Sequence, residues 1–170
     1  HLRFLCSQRA IDTQILRAAG VDFEPVPARE LSLRPLRLLR FLRAWGPSLR
    51  AGRRAIRALR EEHEHLVVVA MGGFVCAPVA LAARAERAPL LLVNLDAAPG
   101  KANRWVARHA NRCLSAARSP DVEARNWQII PPIVRAAAVG GDPADCRRRL
   151  GLRPDVPTLL VTGASQGASS

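Results

Sequence analysis

The sequence predicts an α/β fold in which a Rossmann-like parallel sheet is covered by helices on both faces. Short apolar segments alternate with helical segments along the chain, as in folds whose parallel strands are joined by crossover helices. The apolar run from Leu66 to Met71 includes three adjacent valines, a pattern typical of a strand buried on both faces. A chain of 170 residues can bury about 70% of its unfolded surface, so we expect one well-packed domain and part of another.

The first segment predicts a strand, a helix and a second strand. Leu2 to Cys6 is apolar and short, as expected of a strand. Asp12 to Ala19 has a helical pattern, and Gly20 follows it at the position where glycine commonly ends a helix. Phe23 to Val26 is the second predicted strand, which Pro27 ends.

Two basic helices are predicted next, over Pro35 to Trp45 and over Ser48 to Glu62. Gly46-Pro47 separates them, because proline inside a helix removes a hydrogen bond and clashes with the preceding turn.

The remaining elements continue the alternation. In order they are a strand over Leu66 to Met71, a helix from Pro78 to about Glu86, a strand over Pro89 to Val93, a helix over Asn103 to Ala117, a strand over Gln128 to Ile130, a helix over Asp142 to Leu150 capped by Asp142, and a strand over Thr158 to Thr162. Pro131-Pro132 predicts a domain boundary. We expect a first domain over residues 1–133 and the start of a second over residues 134–170.

Composition limits the classes of partner. The net charge of +12 indicates an anionic partner, which could be nucleic acid, a phosphorylated substrate or an acidic membrane. Aromatic residues make up 4% of the chain and tyrosine is absent, so few side chains could stack on bases and we expect no nucleic-acid partner. No apolar run approaches the roughly 20 residues of a membrane span. Neither an initiating methionine nor a leader opens the sequence, so we expect the natural N-terminus to be missing.

Three polar loops follow predicted strands and are candidates for ligand binding. In Met71 to Pro78 the backbone N–H groups and the start of a helix could hold an anion, although paired glycines also form ordinary tight turns. Asn94 to Arg104 lies where ligands bind in open α/β sheets, although Asp96 and Asn103 could instead organise the loop and cap the next helix. Gly163 to Ser170 resembles another phosphate loop.

The sequence identifies no metal, cofactor or catalytic histidine. Four cysteines are far apart and have no metal-site spacing, so we expect reduced thiols and no metal site. His63 and His65 lie in a charge-rich segment typical of a solvated helix end. No catalytic base can be named from these residues.

The three loops, in this order, resemble those of the MurG family of bacterial glycosyltransferases, whose pattern includes MGGYVSGP, EQNAVPGLTNR and GGSQGA. Here they stand as MGGFVCAP at Met71 to Pro78, VNLDAAPGKANR at Val93 to Arg104, and GASQGA at Gly163 to Ala168. Because PLRLLRFLRAW also matches a basic, apolar helix of that family, the resemblance extends over essentially the whole chain.

The resemblance implies two Rossmann-like domains, with the acceptor on the first and the UDP-sugar mainly on the second. Carried over by position, the acceptor-binding residues are Gly72, Gly73, Phe74 and Asn103. The donor-binding residues carried over in the same way are Asp96, Arg135, Ser165, Gln166 and Gly167.

The family also implies an activity and a location. Its members transfer N-acetylglucosamine, with inversion, from UDP-N-acetylglucosamine to the undecaprenyl-diphosphate-linked muramoyl-pentapeptide in peptidoglycan synthesis, and so serve cell-wall biogenesis, cell shape and division. They act as peripheral proteins at the cytoplasmic face of the plasma membrane. The family's GGTGGH loop, with its conserved histidine, would precede His1, so we expect this chain alone to be inactive.

Two departures from the family pattern keep other functions open. Asn94-Leu95-Asp96 replaces Glu-Gln-Asn. Asp96 thereby places a carboxylate near the expected position of an anionic donor, where direct contact would be unfavourable. The family's GNPVR becomes Pro131 to Arg135, which retains the arginine. The alternatives are another UDP-sugar-dependent transferase with a different acceptor, and a non-catalytic relative that binds lipid or nucleotide.

The first basic helix is also predicted to contact an anionic membrane, because it interleaves apolar and cationic side chains. The membrane-associating residues are Leu36, Arg37, Leu39, Arg40, Leu42, Arg43 and Trp45. The membrane prediction extends to Arg60 in the second helix. For this helix, Ser48 to Glu62, a nearly equal interpretation is that its apolar residues face the core and its arginines are solvated.

Overall fold

The computed structural model describes residues 1–159. The chain divides into two compact units, of which the first is His1–Ile133 and the second begins at Val134. The two units are described separately below.

The described elements confirm the predicted α/β class. In the first unit they are β1 (Arg3–Ser7), α1 (Ala10–Ala18), β2 (Asp22–Val26), α2 (Pro35–Glu62), β3 (Val68–Ala70), α3 (Cys76–Ala85), β4 (Leu90–Asn94), α4 (Lys101–Val106), β5 (Arg112–Ser115), α5 (Pro120–Glu123) and β6 (Gln128–Ile129). The described part of the second unit has a 3-10 turn, Ala136–Ala138, followed by α6 (Pro143–Arg149).

The strands form two parallel sheets. β1 pairs with β2, and the other sheet has the order β3-β4-β5-β6. Parallel pairing places the carboxyl ends of β3, β4 and β5 on one edge of the sheet, and the loops that leave this edge carry the polar motifs.

The main core lies between the four-stranded sheet and the helices that pack on it. Leu92 of β4, Val106 of α4 and Val122 of α5 are fully buried, and they cluster with alanines of α3 and with Ile56 of α2. Helices α2 and α3 approach closely at Gly52. A methyl group placed on this residue would lie 2.9 Å from Cβ of Ala82. The long basic helix is therefore part of the core along its second half.

The prediction that Leu66 to Met71 forms a strand buried on both faces is wrong. β3 covers Val68–Ala70, and among the described residues it pairs with β4 alone. Only Ala70 of this strand is buried, while Val69 is 49% exposed. β4 is the buried strand of this sheet, because all of its residues but Leu91 are buried.

The prediction that Gly46-Pro47 separates two helices is also wrong. α2 runs without a break from Pro35 to Glu62 and contains Pro47. Proline inside a helix costs about 3 kcal/mol, but the residues that follow it pack on α3, and this burial keeps the helix continuous. Ser48, the next residue, is buried, and its hydroxyl donates to the Ala44 carbonyl at 2.7 Å.

The helix predicted over Asn103 to Ala117 is a shorter helix followed by a strand. α4 ends at Val106 and β5 begins at Arg112. Asn111 explains the change of direction, because its N–H donates to the Leu90 carbonyl and its Oδ1 accepts from the Leu90 N–H, each at 2.8 Å. This pair of hydrogen bonds starts β5 beside β4.

In the second unit, α6 confirms the predicted helix, and Oδ1 of Asp142 accepts from the Asp145 N–H at 2.9 Å as its N-cap. Of the strand predicted over Thr158 to Thr162, Thr158 and Leu159 are irregular, and the remainder lies outside the described residues. Within residues 1–159, no helix combines the length and the apolar character that a membrane span requires.

Candidate functional site

The glycine loop, Met71–Val75, joins β3 to α3 at the carboxyl edge of the sheet. Gly72 and Gly73 have φ angles of +102° and +80°, which other residues rarely adopt, so the chain needs glycine at both positions. Within the described structure, the backbone N–H groups of Gly73 and Phe74 donate to no other residue. The loop therefore presents free donors, which suit an anionic group.

The helix that follows the loop contributes less to anion binding than the sequence suggests. The Cys76 N–H donates to the Gly73 carbonyl at 3.3 Å, and Pro78 has no N–H. The Cys76 thiol donates to the Gly72 carbonyl at 2.7 Å, and burial raises the pKa of this thiol, which keeps it a neutral donor. Cys76 therefore holds the glycine loop in place, and the loop itself offers the free N–H groups.

Arg9 adds a cation to the glycine loop, and sequence reasoning missed it. Arg9 follows β1, and its guanidinium lies 4.9 Å from the centre of the Phe74 ring. Phe74 in turn packs against Val26 and Ala28. The signal in the sequence was an arginine just after the carboxyl end of a strand, the position at which ligands bind in this class of fold.

Asn103, predicted to be a site residue, lies directly against Gly72. A Cβ atom on Gly72 would be 3.2 Å from Oδ1 of Asn103. Asn103 is almost completely buried, and its Nδ2 donates to Oδ1 of Asn94 at 2.9 Å. The structure therefore brings together the predicted residues Gly72, Gly73, Phe74 and Asn103.

Asp96 is placed differently from Asn103. Its side chain is exposed, and within the described structure it makes no ion pair, while its backbone carbonyl accepts from Nδ2 of Asn94 at 2.8 Å. The alternative that Asp96 or Asn103 caps α4 is wrong, because the N-cap residue is Gly100 and no side chain caps this helix.

The other predicted donor residues belong to the second unit. Arg135 is exposed, and its backbone carbonyl accepts from the Ala138 N–H at 2.8 Å, which starts the 3-10 turn. Ser165, Gln166 and Gly167 lie outside the described residues. The donor side of the site therefore stays a prediction.

The predicted membrane-associating residues lie in the first half of α2 and are mostly exposed. Leu36, Leu39 and Leu42 are 73%, 44% and 59% exposed. Trp45 is half-buried, and its ring centre lies 6.3 Å from that of Trp105. Arg37, Arg40 and Arg43 are exposed and form no ion pair within residues 1–159.

Neither a metal centre nor a catalytic histidine accompanies the glycine loop in the described part of the chain. Residues 1–159 contain no group of three or more His, Cys, Asp or Glu side chains placed to hold a metal ion. His63 stacks on His1 with ring centres 5.6 Å apart, near the opposite end of β1 from Arg9.

The fold and this loop cluster define a class, namely an α/β protein with a glycine loop at the carboxyl edge of a parallel sheet. The family model of the glycosyltransferase family 28 N-terminal domain matches residues 1–115. The chain belongs to this glycosyltransferase family. The family resemblance expected from the motifs is thereby confirmed.

Curated relatives align with almost all of the chain. It is 36% identical over 171 residues to a UDP-N-acetylglucosamine–N-acetylmuramyl-(pentapeptide) pyrophosphoryl-undecaprenol N-acetylglucosamine transferase of Nocardioides sp., with 96% of this chain and 45% of the relative covered. The enzyme of the same name from Acidothermus cellulolyticus is 35% identical, with 99% and 46% covered. The chain thus spans about half the length of these relatives.

A solved structure supports the fold. The first match is to the crystal structure of Acinetobacter baumannii MurG, with a TM-score of 0.52 and 16% identity over 77% of this chain and 37% of that one. At this identity the likeness concerns the fold, which agrees with the Rossmann-like sheet predicted from the sequence.

Proposed function

We propose that the full-length protein transfers N-acetylglucosamine from UDP-N-acetylglucosamine to an undecaprenyl-diphosphate-linked muramoyl-pentapeptide. The observation that carries this proposal is the glycine loop, with free N–H groups on Gly73 and Phe74, packed on Asn103 within a family 28 domain. Relatives that align with nearly all of the chain bear the name of this transferase. In this proposal the first unit is the acceptor domain and the second begins the UDP-sugar domain.

The acceptor's diphosphate would bind at the glycine loop. The Gly73 and Phe74 N–H groups supply neutral donors, and the Arg9 guanidinium adds a positive charge beside Phe74. Charge-assisted hydrogen bonds from arginine are about twice as strong as neutral ones. Arg9 lies 3.8 Å from a carboxylate oxygen of Glu30 in an exposed pair, and it would turn from this partner to the anion. These groups bind and orient the acceptor at the edge of the sheet.

The donor would be held mainly by the second unit. Arg135 is exposed and can supply a guanidinium to a phosphate or to uracil. We propose that the loop that binds the donor includes Ser165, Gln166 and Gly167. Asp96 is proposed to face the donor's sugar, because a carboxylate accepts from hydroxyl groups and repels phosphate. The departure at Asp96 supports a second candidate, a transferase of the same architecture that uses another sugar or acceptor.

Membrane association would bring the enzyme to its lipid acceptor. We propose that the first half of α2, with its exposed leucines and with arginines that form no ion pair among residues 1–159, docks on the anionic cytoplasmic face of the plasma membrane. The protein would then be peripheral.

A transfer assay tests the activity. The full-length gene product is incubated with radiolabelled UDP-N-acetylglucosamine and a polyprenyl-diphosphate-linked muramoyl-peptide, and the lipid-linked product is counted. We expect transfer to this acceptor, with UDP-glucose and UDP-N-acetylgalactosamine used far less well. Faster transfer from another UDP-sugar or to another acceptor would favour the second candidate, and nucleotide binding without transfer would favour a non-catalytic relative.

A glycine variant tests the site itself. Gly72→Ala should lower transfer by about tenfold or more, because the added methyl group meets Asn103 and strains a backbone with a φ of +102°. Gly20→Ala is the matched control, since Gly20 also has a positive φ of +64° but has no neighbour within 4 Å. Equal losses in both variants would show that backbone strain alone is responsible.

A further inference from the structure

A buried chain of three polar side chains leads from the interior of the sheet to the glycine loop. Ser115 ends β5, Asn94 ends β4, and Asn103 lies in α4. All three are buried. Nδ2 of Asn94 donates to Oγ of Ser115 at 3.1 Å, and Oδ1 of Asn94 accepts from Nδ2 of Asn103 at 2.9 Å.

Two backbone carbonyl groups determine the direction of every hydrogen bond in this chain. The Ser115 hydroxyl donates to the Ala117 carbonyl at 2.8 Å, so its oxygen is left to accept from Asn94. The Asp96 carbonyl, which can only accept, takes the other Nδ2 hydrogen of Asn94 at 2.8 Å. Asn94 must therefore direct its Oδ1 towards Asn103, and Asn103 must donate to it from Nδ2.

The orientation of Asn103 follows from its neighbours, and it has a consequence at the loop. With Nδ2 directed towards Asn94, Oδ1 faces Gly72 and is buried without a partner in the described structure. An unpartnered buried acceptor is unfavourable. It persists because the hydrogen bonds of Asn94 and Ser115 impose this orientation on Asn103.

We propose that Asn94 and Ser115 are positioning residues of the acceptor site: they hold the Asn103 amide in one orientation, so that it packs against Gly72 and supports the glycine loop. This inference rests on the proposed function. The acceptor's phosphate oxygens suit the Gly73 and Phe74 N–H groups and Arg9, and the buried Asn103 amide supports the loop that carries these N–H groups.

The Asn94→Asp variant in the full-length protein tests the direction of the chain. Burial raises the pKa of the introduced carboxyl. Its protonated form can still donate to the Asp96 carbonyl and accept from Asn103, whereas its ionised form would face two oxygens. Transfer by the variant relative to the parent should therefore fall as the pH rises, by about tenfold between pH 6 and pH 8.5. The KM for the acceptor should rise while the KM for the UDP-sugar is unchanged.

Asn111→Asp is the matched control. Asn111 is exposed at the other end of β4, and its Oδ1 accepts from the Leu90 N–H, a role that a carboxylate can also fill. The transfer rate of this variant, divided by that of the parent, should not change with pH. An Asn94→Asp variant whose ratio is equally flat, in an active parent, would overturn the inference.

A second pair of variants covers the case in which Asn94→Asp does not fold. Ser115→Ala removes one acceptor of Asn94 and should raise the acceptor KM several-fold at an unchanged UDP-sugar KM, and Ser115→Thr, which keeps the hydroxyl, should restore it. Ser119→Ala is the control, because Oγ of Ser119 is buried without a partner in the described structure. Equal acceptor KM values in all three variants contradict the inference alone. A parent without transfer activity contradicts the proposed function and, with it, this role.

Discussion

The two halves of α2 have similar sequences and very different surroundings. Both alternate arginine with apolar residues, and one continuous helix contains them. In the second half, small residues face α3, and the buried set is Ser48, Ala51, Gly52, Ala55 and Ile56. In the first half no residue is buried, and Leu36, Leu39 and Leu42 are exposed.

The arginines differ in the same way. In the second half, Arg53 and Arg57 both bind Glu86, at 2.5 and 2.9 Å, and Arg54 binds Glu24. In the first half, Arg37, Arg40 and Arg43 form no ion pair within the described residues. An arginine with a carboxylate partner contributes to the fold, whereas an arginine beside exposed leucines is available to an external anionic surface. The comparison teaches that neighbours decide the role of each arginine, and that the basic composition does not.

The largest expected effect concerns membrane binding by the first half. Changing Arg37, Arg40 and Arg43 to Glu should weaken binding of the full-length protein to phosphatidylglycerol vesicles by at least about 100-fold, because each arginine near an anionic bilayer contributes about 1 kcal/mol. Vesicle sedimentation at several salt concentrations measures this. The folded structure should be little affected, since these side chains are exposed and form no ion pair in the described structure.

The control for this experiment has the same net charge. Arg17, Arg112 and Arg125 are exposed and lie outside α2, so changing these three to Glu should weaken binding much less. Binding to anionic vesicles that survives the reversal in α2, with an unchanged salt dependence, would contradict the membrane role. Equal losses of vesicle binding in both triple variants would show that net charge alone causes the effect.

The next effect concerns stability and should be confined to the second half. Gly52→Ala should lower the free energy of unfolding by about 1–2 kcal/mol, because the new methyl group would lie 2.9 Å from Cβ of Ala82 and must push α3 away. The clash itself must then cost about 2–3 kcal/mol, because it also offsets the gain of about 1 kcal/mol that alanine normally brings to a helix interior. Urea unfolding measures the difference. Gly140→Ala, which meets no atom within 4 Å, should change stability by less than about 0.5 kcal/mol, and an equal loss there would remove close packing as the cause.

The sequence predicted the parallel fold because strands and helices alternate regularly along it. It also located the glycine loop and Asn103, because the family motifs keep their spacing at these positions. The predicted break at Pro47 failed for a physical reason. The prediction considered the local penalty without the burial of Gly52 and Ile56 against α3, which the sequence does not display.

Two further features depended on contacts between distant residues. β5 has a short pattern, Arg112 to Ser115, and it becomes a strand because Asn111 is hydrogen-bonded to Leu90. Arg9 joins the site through the ring of Phe74, which is 65 positions later in the chain. Neither contact leaves a periodic signal, so pattern analysis could not find it.

The smallest expected effect concerns Glu86, which ties the second half of α2 to the end of α3. Hydrogen bonds from Arg57 and Arg53 lower the pKa of Glu86 from 4.5 to about 2. Between these two values the folded protein binds fewer protons than the unfolded chain, so the stabilisation from this ion pair is complete above about pH 4.5 and is lost as the pH falls towards 2. Glu86→Gln should therefore lower the Tm at neutral pH, and the difference from the parent should shrink steadily below pH 4.5. Glu123 is an exposed residue of α5 without an ion pair among the described residues, so Glu123→Gln should show no such convergence. The Tm difference between Glu86→Gln and the parent could instead stay constant from pH 7 to pH 2.5. That result would mean that the shape of Glu86, and not its charge, holds α2 in place. The contrast between the arginines of the two halves would then lose its electrostatic basis.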